Sequence, residues 1–391
     1  MNRIPELDGV RALAIALVIG CNYPVFAGLF GGLPQFGWAG VEIFFVLSGY
    51  LITTILLGLR GRPHAYRIFY ARRARRIFPP YFITVVLAAL FNLGFTLRPD
   101  FRTLLLQASI LNSFPHSPTI FLDALRALHH HAAPSLFAAV HLPLGQQGAD
   151  PYRFKDALSH TWSLSVEGWF YILWAPTVLA FGRRGIALGA LAALLLGFVL
   201  RWAGGVSGLT WYMNFFCRFD LLGIGALLAL WLDRRRHLAL PRRRIGDFFL
   251  AGIALGAITG LAAILFRIRP FLGREIRNAP LFAAFGTPLI GLAVAGLIAH
   301  LIHSSRGRSP LAYLFRLPPL VWIGRRSYTI YLAHLPWYWV VCAFLGTAGR
   351  GTWTAALVSL ALTLATAAFS WHYFEEPLLR PRTEPLITDS R

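Results

Sequence analysis

The sequence predicts an all-α protein, a polytopic bundle of about ten transmembrane helices plus one short re-entrant or surface segment. Two observations carry this prediction. Apolar residues make up 57% of the 391 residues and charged residues only 14%, whereas soluble domains carry about 25% charged residues. Apolar runs of about 20 residues recur, the length a helix needs to cross about 30 Å of hydrocarbon. The runs are continuous rather than alternating, which favours helices over a closed barrel.

The apolar runs give the predicted spans in chain order. They are residues 12–30, 38–58, 78–96, 161–182, 185–203, 210–232, 246–266, 279–303, 327–347 and 352–372. A shorter run at 103–115 is too short to cross comfortably, so we expect it to be re-entrant or to lie along the surface. Residues 1–380 are expected to form one membrane-embedded domain without a soluble domain. Residues 381–391 are expected to form a short cytoplasmic tail.

The net charge of +21 comes almost entirely from arginine. The arginines cluster between the predicted spans, as cytoplasmic loops of membrane proteins do. They therefore indicate membrane topology and contact with anionic lipid rather than nucleic-acid binding. Ten crossings with both termini in the cytoplasm place all but one cluster inside; the arginines between 267 and 277 would face out. We expect an integral protein of a bacterial inner (plasma) membrane.

Cysteine and histidine spacing gives no metal site. Cys21, Cys217 and Cys342 lie in apolar runs far apart in sequence, which is typical of buried small side chains. The three histidines at 129–131 stand alone in a predicted outer loop, without carboxylates at helical spacing. We predict neither a metal ion nor a bound cofactor.

Ionisable residues inside the predicted spans mark either function or interhelical ion pairs. These residues are Arg11, Glu42, Glu167, Arg218 and Asp220. Arg218 and Asp220 are close in sequence and opposite in charge, so we expect them to be structural and to neutralise each other locally. The other three are candidates for a functional site.

Six stretches in order resemble one family. They are LDGVRALAIALVI, GWAGVEIFFVLSGYLI, ARRARRIFPPY, TWSLSVEGWFYILW, IGRRSYTIYLAHLP and YFEEPLLR. Together they resemble the acyltransferase-3 family of integral membrane acyltransferases, which includes O-antigen acetylases and macrolide acylases. The resemblance runs from about residue 5 to residue 380 and covers nearly the whole chain.

The resemblance implies an O-acyltransferase. It would move an acyl group, usually acetyl, from cytoplasmic acyl-CoA as co-substrate to a hydroxyl. The acceptor would be a carbohydrate, a lipid-linked glycan or a glycosylated small molecule, reached within membrane lipid. The family also implies an arginine in the first span followed, after ten residues, by a histidine. Here Arg11 is followed at that spacing by Asn22.

Asn22 departs from the family pattern at the position of the base. Histidine can take the acceptor's proton near neutral pH, whereas asparagine can only hold the hydroxyl. A missing general base costs about 10²–10⁴-fold in rate. Three alternatives stay open: an inactive variant, a different base, or a protein that binds the ligands without turning them over. Glu167 and His334 are the candidate substitutes, and His160 precedes the fourth motif.

The resemblance also assigns roles at the donor end of the site. Arg73 and Arg76 would pair with CoA phosphates at the cytoplasmic mouth, because arginine forks match phosphate oxygens. Arg11 would hold a phosphate or steady the carboxylates of the site. Glu42 would orient whatever occupies position 22, as a carboxylate orients a histidine in hydrolases.

Three residues are candidates for contact with the reacting groups. Ser327 and Tyr331 of SYTIY would hydrogen-bond the acyl carbonyl or the acceptor. Trp162 is either a stacking platform for a sugar or a core aromatic. No spacing suggests a covalent acyl-enzyme, so direct transfer is the predicted reaction. The alternatives are a transporter, against which stands the lack of an inverted repeat, and a non-catalytic binding relic for acyl-CoA or a lipid-linked glycan.

Overall fold

The structure is a computed structural model of the full chain. It describes residues 3–26, 36–95, 154–204, 214–238, 251–256, 258–260, 282–304, 309–346 and 351–379. The α-helices in these ranges are α1 Pro5–Asn22, α2 Ala39–Leu59, α3 Ala65–Phe95, α4 Trp162–Gly204, α5 Phe219–Leu238, α6 Thr287–His303, α7 Pro310–Phe315, α8 Pro318–Arg325, α9 Ser327–Leu345, α10 Trp353–Ser370 and α11 Glu376–Leu379. A further short apolar helix covers Ala251–Gly260.

The predicted all-α class is confirmed. The described ranges contain helices and no β-strand, and five of their helical segments are long and apolar enough to cross a membrane. The count of ten spans stays a prediction. The short run 103–115, the histidines 129–131 and the tail 381–391 lie outside the described residues.

Helix α4 contains two of the predicted spans. The apolar segment Leu158–Trp202, which begins in the 3₁₀ turn before α4, has 45 residues, which at 1.5 Å per residue is about 65 Å, twice the hydrocarbon thickness. Gly182 interrupts it with φ 59° and ψ −137°, a conformation that L side chains rarely adopt. The predicted spans 161–182 and 185–203 are therefore two helical arms joined at Gly182.

Helix α3 begins earlier than the sequence predicts. The third predicted span begins at residue 78, next to Pro79 and Pro80, but both prolines lie inside a helix that begins at Ala65. Each proline removes one helical N–H bond without ending the helix. The arginine-rich segment is therefore helical as well, so Arg73 and Arg76, three residues apart, lie on one face of α3.

The core forms where α2 crosses its neighbours. Helix α2 packs most extensively on α5 and also contacts α1 and α4. The α2–α5 crossing is close because glycines face backbone: a Cβ at Gly49 would lie 2.0 Å from the Leu222 carbonyl oxygen, and one at Gly225 would lie 2.0 Å from that of Val46. Small residues allow this approach between membrane helices, where packing rather than the hydrophobic effect drives association.

Candidate active site

A cavity of about 270 Å³ lies between α1, α2, α3, α4 and α9. Its wall is mostly aromatic and aliphatic, with a few polar groups directed into it, as is usual in small-molecule sites. The polar side chains on the wall are Arg11, Ser48, Tyr70, Arg73, Arg76, Tyr81, Ser163, Glu167, Tyr171, Ser327, Tyr328 and Tyr331. Six of the residues that the sequence singles out therefore share one cavity: Arg11, Arg73, Arg76, Glu167, Ser327 and Tyr331.

Three guanidinium groups give the cavity its positive charge. Arg73 and Arg76 come from one face of α3 and Arg11 comes from α1. Nη1 of Arg11 donates to Oδ1 of buried Asp8 at 3.0 Å, and Oδ2 of the same carboxylate accepts from Nε of Arg3 at 2.8 Å. In the described part of the chain, neither Arg73 nor Arg76 forms an ion pair. The cavity thus has an excess of positive charge.

Arg73 is poorly solvated. It lies on α3 ahead of the predicted span that begins at residue 78, with its Cζ 5.8 Å from the centre of the Phe69 ring. Burial lowers the pKa of the Arg73 guanidinium, and the positive charge of Arg76 lowers it further, whereas Tyr171 and Glu167 raise it. A partly buried cation beside a second cation favours an anionic ligand, which would relieve both effects.

Glu167 is held at both carboxylate oxygens. Oε1 accepts from the Ser48 hydroxyl at 2.6 Å and Oε2 accepts from the Tyr171 hydroxyl at 2.6 Å. An acceptor hydroxyl would have to displace one of these donors before it could give its proton to Glu167. The geometry therefore favours a role for Glu167 as a counter-charge to the arginines over a role as general base.

Asn22 and His334 form a second cluster, away from the cavity wall. Nδ2 of Asn22 lies 3.0 Å from Nε2 of His334, and Nδ1 of His334 lies 2.7 Å from the Tyr331 carbonyl oxygen. A carbonyl oxygen only accepts, so Nδ1 carries the proton and Nε2 accepts from the Asn22 amide. His334 is fully buried, and the Tyr23 hydroxyl donates to its carbonyl oxygen at 3.0 Å.

Tyr331 connects the cavity to this cluster. Its ring lines the cavity, and its hydroxyl donates to the His160 carbonyl oxygen at 2.7 Å and accepts from the Ser163 hydroxyl at 2.6 Å. The His160 ring is buried, with its centre 4.9 Å from that of His334. Arg11 lines the cavity whereas Asn22, eleven residues further along at the C-terminal end of α1, does not. Tyr331 lies between the two environments.

Glu42 does not orient position 22, so that prediction is wrong. Its Oε1 accepts from Nη1 of Arg218 at 2.8 Å, and both side chains are fully buried. The prediction that Arg218 and Asp220 neutralise each other is also wrong, because Asp220 pairs instead with Arg201 at 2.5 Å, again fully buried. Arg218 lies in the turn before α5 and Asp220 in the first turn of α5, and each pairs with a side chain from another helix.

Ser327 and Trp162 have different environments. Ser327 is buried and lines the cavity near Tyr331. Trp162 packs in the core with its ring centre 6.2 Å from that of Phe45, and it is not part of the cavity wall. The structure therefore favours the core-aromatic interpretation of Trp162.

The last two motifs meet in a buried carboxylate that the sequence analysis did not assign. Oε1 of Glu375, in YFEEP, accepts from the Thr329 hydroxyl of SYTIY at 2.6 Å and from the Ser370 hydroxyl at 3.1 Å. These bonds fix α9, and with it Tyr331, against the C-terminal helices. Motif membership is the sequence signal that pointed to Glu375.

The described ranges hold no group of three or more His, Cys, Asp or Glu side chains placed to bind a metal ion.

The comparison with protein families covers the first five motifs and ends where the sixth begins. The family model for the acyltransferase-3 group, described as an acyltransferase domain, matches residues 4–373. The chain belongs to the acyltransferase-3 family. Family membership together with the apolar helices makes it an integral membrane protein. The resemblance drawn from the motifs is confirmed.

Relatives of known type carry this domain in longer chains. The sequence is 29% identical over 393 residues to the peptidoglycan O-acetyltransferase OatA of Listeria monocytogenes. That alignment covers 96% of this chain and 56% of the relative. It is 27% identical over 391 residues to the O-acetyltransferase OatA of Staphylococcus aureus, with 96% and 57% covered. The chain thus spans little more than half the length of these relatives. No solved structure matches it.

Proposed function

We propose that this domain transfers an acetyl group from acetyl-CoA to a hydroxyl of a carbohydrate acceptor of the peptidoglycan type. Membership in a family of acyltransferases supports the reaction class. The names of the relatives support acetyl as the group and peptidoglycan as the acceptor class. The observation that carries the proposal is the arginine-lined cavity connected through Tyr331 to His334.

The three arginines would hold the donor. Arg73 and Arg76 offer two forked donors on one helix face, and Arg11 adds a third from α1. Guanidinium forks bind phosphate oxygens by paired, charge-assisted hydrogen bonds. With the phosphates at these groups, the thioester end of the donor would extend along the apolar wall toward Ser163 and Tyr331.

His334 would act as the general base in place of the family's histidine. Its Nδ1–H is fixed on the Tyr331 carbonyl, so its Nε2 lone pair is available to a donor. In the acceptor complex the acceptor hydroxyl would replace the Asn22 amide on Nε2 and donate its proton there, and the Asn22 Nδ2–H would donate to the acceptor oxygen. As His334 takes the proton, the acceptor oxygen attacks the thioester carbonyl carbon and the C–S bond breaks. The CoA thiolate then takes the proton from His334.

The topology that accompanies this function is also a proposal. Arg73 and Arg76 would face the cytoplasm, where acyl-CoA is found, and both termini would lie on that side of a bacterial inner membrane. Labelling of single cysteines introduced at residue 75 and at the C-terminus, from each side of sealed vesicles, tests this arrangement. Labelling of either from the outer side would contradict it.

The first experiment measures CoA release from acetyl-CoA by the purified chain with peptidoglycan fragments as acceptor. We expect acceptor-dependent release that His334→Gln lowers by about 10²–10⁴-fold. His372, exposed on the last helical turns, provides the control: His372→Gln should leave the rate unchanged. An active His334→Gln variant would overturn the role of His334.

Asn22→His separates the open alternatives. If the chain as written is inactive and Asn22→His restores release, the base belongs at position 22 and not at 334. If both proteins bind acetyl-CoA and neither releases CoA with any peptidoglycan fragment, the chain is a binding protein, and the proposed reaction is wrong.

A further inference from the structure

A crevice of about 680 Å³, separate from the arginine-lined cavity, lies at the ends of α2 and α5 beside the Gly182 turn of α4. It shares no wall residue with the arginine-lined cavity. Its wall consists of Leu57, Arg60, Phe181, Arg183, Arg184 and Asp233. All three helix ends carry arginine clusters that the sequence assigns to one side of the membrane.

The crevice holds more positive charge than its own residues neutralise. Arg183 forms an ion pair with Asp233, because its Nε and Nη2 donate to Oδ2 of Asp233 at 3.0 and 2.8 Å. Among the described residues, Arg60 and Arg184 form no ion pair. Three arginines and one aspartate leave a net charge of +2 in the crevice.

The Arg60 guanidinium lies against the backbone of the turn. A Cβ at Gly182 would lie 2.3 Å from the Arg60 Cζ and 2.5 Å from its Nη1. Glycine at 182 therefore leaves room for the guanidinium beside the turn. Arg60 and Arg184 are both exposed, so both guanidinium groups are accessible to a ligand in the crevice.

The rim of the crevice is apolar on the side of the helices. Phe181 is 70% exposed and Leu57 is half-buried, and both lie at the last turns of predicted membrane spans. Two guanidinium groups beside apolar side chains match a molecule with a phosphate at one end and hydrocarbon at the other. A free phosphate ion would make no use of the apolar rim.

We propose that this crevice is a specific binding site for an anionic phospholipid. Arg60 and Arg184 hold the lipid phosphate by charge-assisted hydrogen bonds. Phe181 and Leu57 contact the upper part of an acyl chain. Basic pockets between transmembrane helices on the cytoplasmic side bind anionic head groups in this way.

The test is native mass spectrometry of the purified chain from nanodiscs of phosphatidylcholine with increasing phosphatidylglycerol. We expect saturable retention of phosphatidylglycerol. At about 1 kcal/mol per arginine, each arginine contributes about 5-fold to affinity, so Arg60→Gln with Arg184→Gln should weaken retention by about 25-fold. The matched control is Arg72→Gln with Arg75→Gln, which removes the same charge from exposed positions on α3.

The control separates a specific site from general attraction to the membrane. Equal loss in both double variants, or no loss in either, overturns the proposal. Displacement of the lipid by inorganic phosphate alone at equal concentration also overturns it, because the apolar rim would then contribute nothing. If the double Gln variant fails to fold, Arg60→Lys with Arg184→Lys keeps the charge but loses the forked geometry. We expect that variant to bind several-fold more weakly, and unchanged affinity would refute the site.

Discussion

The buried ion pair between Glu42 and Arg218 gives the sharpest prediction on stability. The two groups lie 2.8 Å apart and both side chains are 0% exposed. Removal of one partner breaks the buried pair and leaves the other charge in the core without it, which costs about 3–5 kcal/mol. We therefore expect Glu42→Leu to lower the free energy of unfolding by that amount.

The double variant Glu42→Leu with Arg218→Met tests the physical reason. It removes both charges together, and apolar side chains of similar size often replace a buried pair at little or no cost. We expect it to recover most of the stability that the single variant loses. The assay is reversible unfolding in mixed micelles by increasing SDS, followed by circular dichroism.

An exposed pair in the same chain supplies the control for this series. Arg183 and Asp233 also lie 2.8 Å apart, but their side chains are 45% and 25% exposed. Exposed pairs contribute about 0–1 kcal/mol, so Asp233→Asn should cost less than about 1 kcal/mol. The reasoning is refuted if Glu42→Leu costs no more than Asp233→Asn, or if the double variant is no more stable than Glu42→Leu.

Two further predictions concern α1. A Cβ at Gly324 would lie 1.7 Å from the Asp8 carbonyl oxygen, so Gly324→Ala should lower the free energy of unfolding by about 1–3 kcal/mol. Gly58→Ala is the control, because nothing lies within 4 Å of a Cβ at that position. Equal losses of stability in the two variants would contradict the contact. Asp8→Asn should raise the KM for acetyl-CoA by about 10-fold with little change in kcat, because Arg11 loses a charge-assisted hydrogen bond that positions it. Arg3→Gln serves as the control, because it leaves the Asp8–Arg11 bond in place. An unchanged KM for Asp8→Asn would exclude a role of Asp8 in positioning Arg11.

The shared helix face of Arg73 and Arg76 was readable from the sequence. Their spacing is a local property of a helix, and a three-residue spacing places both on one face wherever the helix goes. The division between the predicted spans 161–182 and 185–203 likewise falls at the turn observed at Gly182. Predictions of this kind succeed because they depend on neighbouring residues alone.

The partners of the buried groups could not be read from the sequence. Arg218 lies 176 residues from Glu42, and Asn22 lies 312 residues from His334. Arg218 and Asp220, two residues apart, looked like partners in the linear sequence, yet they pair with side chains of two different helices. Which distant charge neutralises a buried one depends on which helices cross and at what depth.

The sequence by itself determined the class of the protein, its helical and membrane-spanning character, its family, and the residue change at position 22. These follow from local composition and motif order, because hydrocarbon requires every backbone group to be bonded within its own helix. Only the tertiary structure decided that Glu42 belongs to a structural ion pair, that Asn22 donates to His334, and that Tyr331 lies between that pair and the arginines. The physical reason is that a buried polar group must form its hydrogen bonds or ion pair with an element that packs against it. Which element that is depends on how the helices pack.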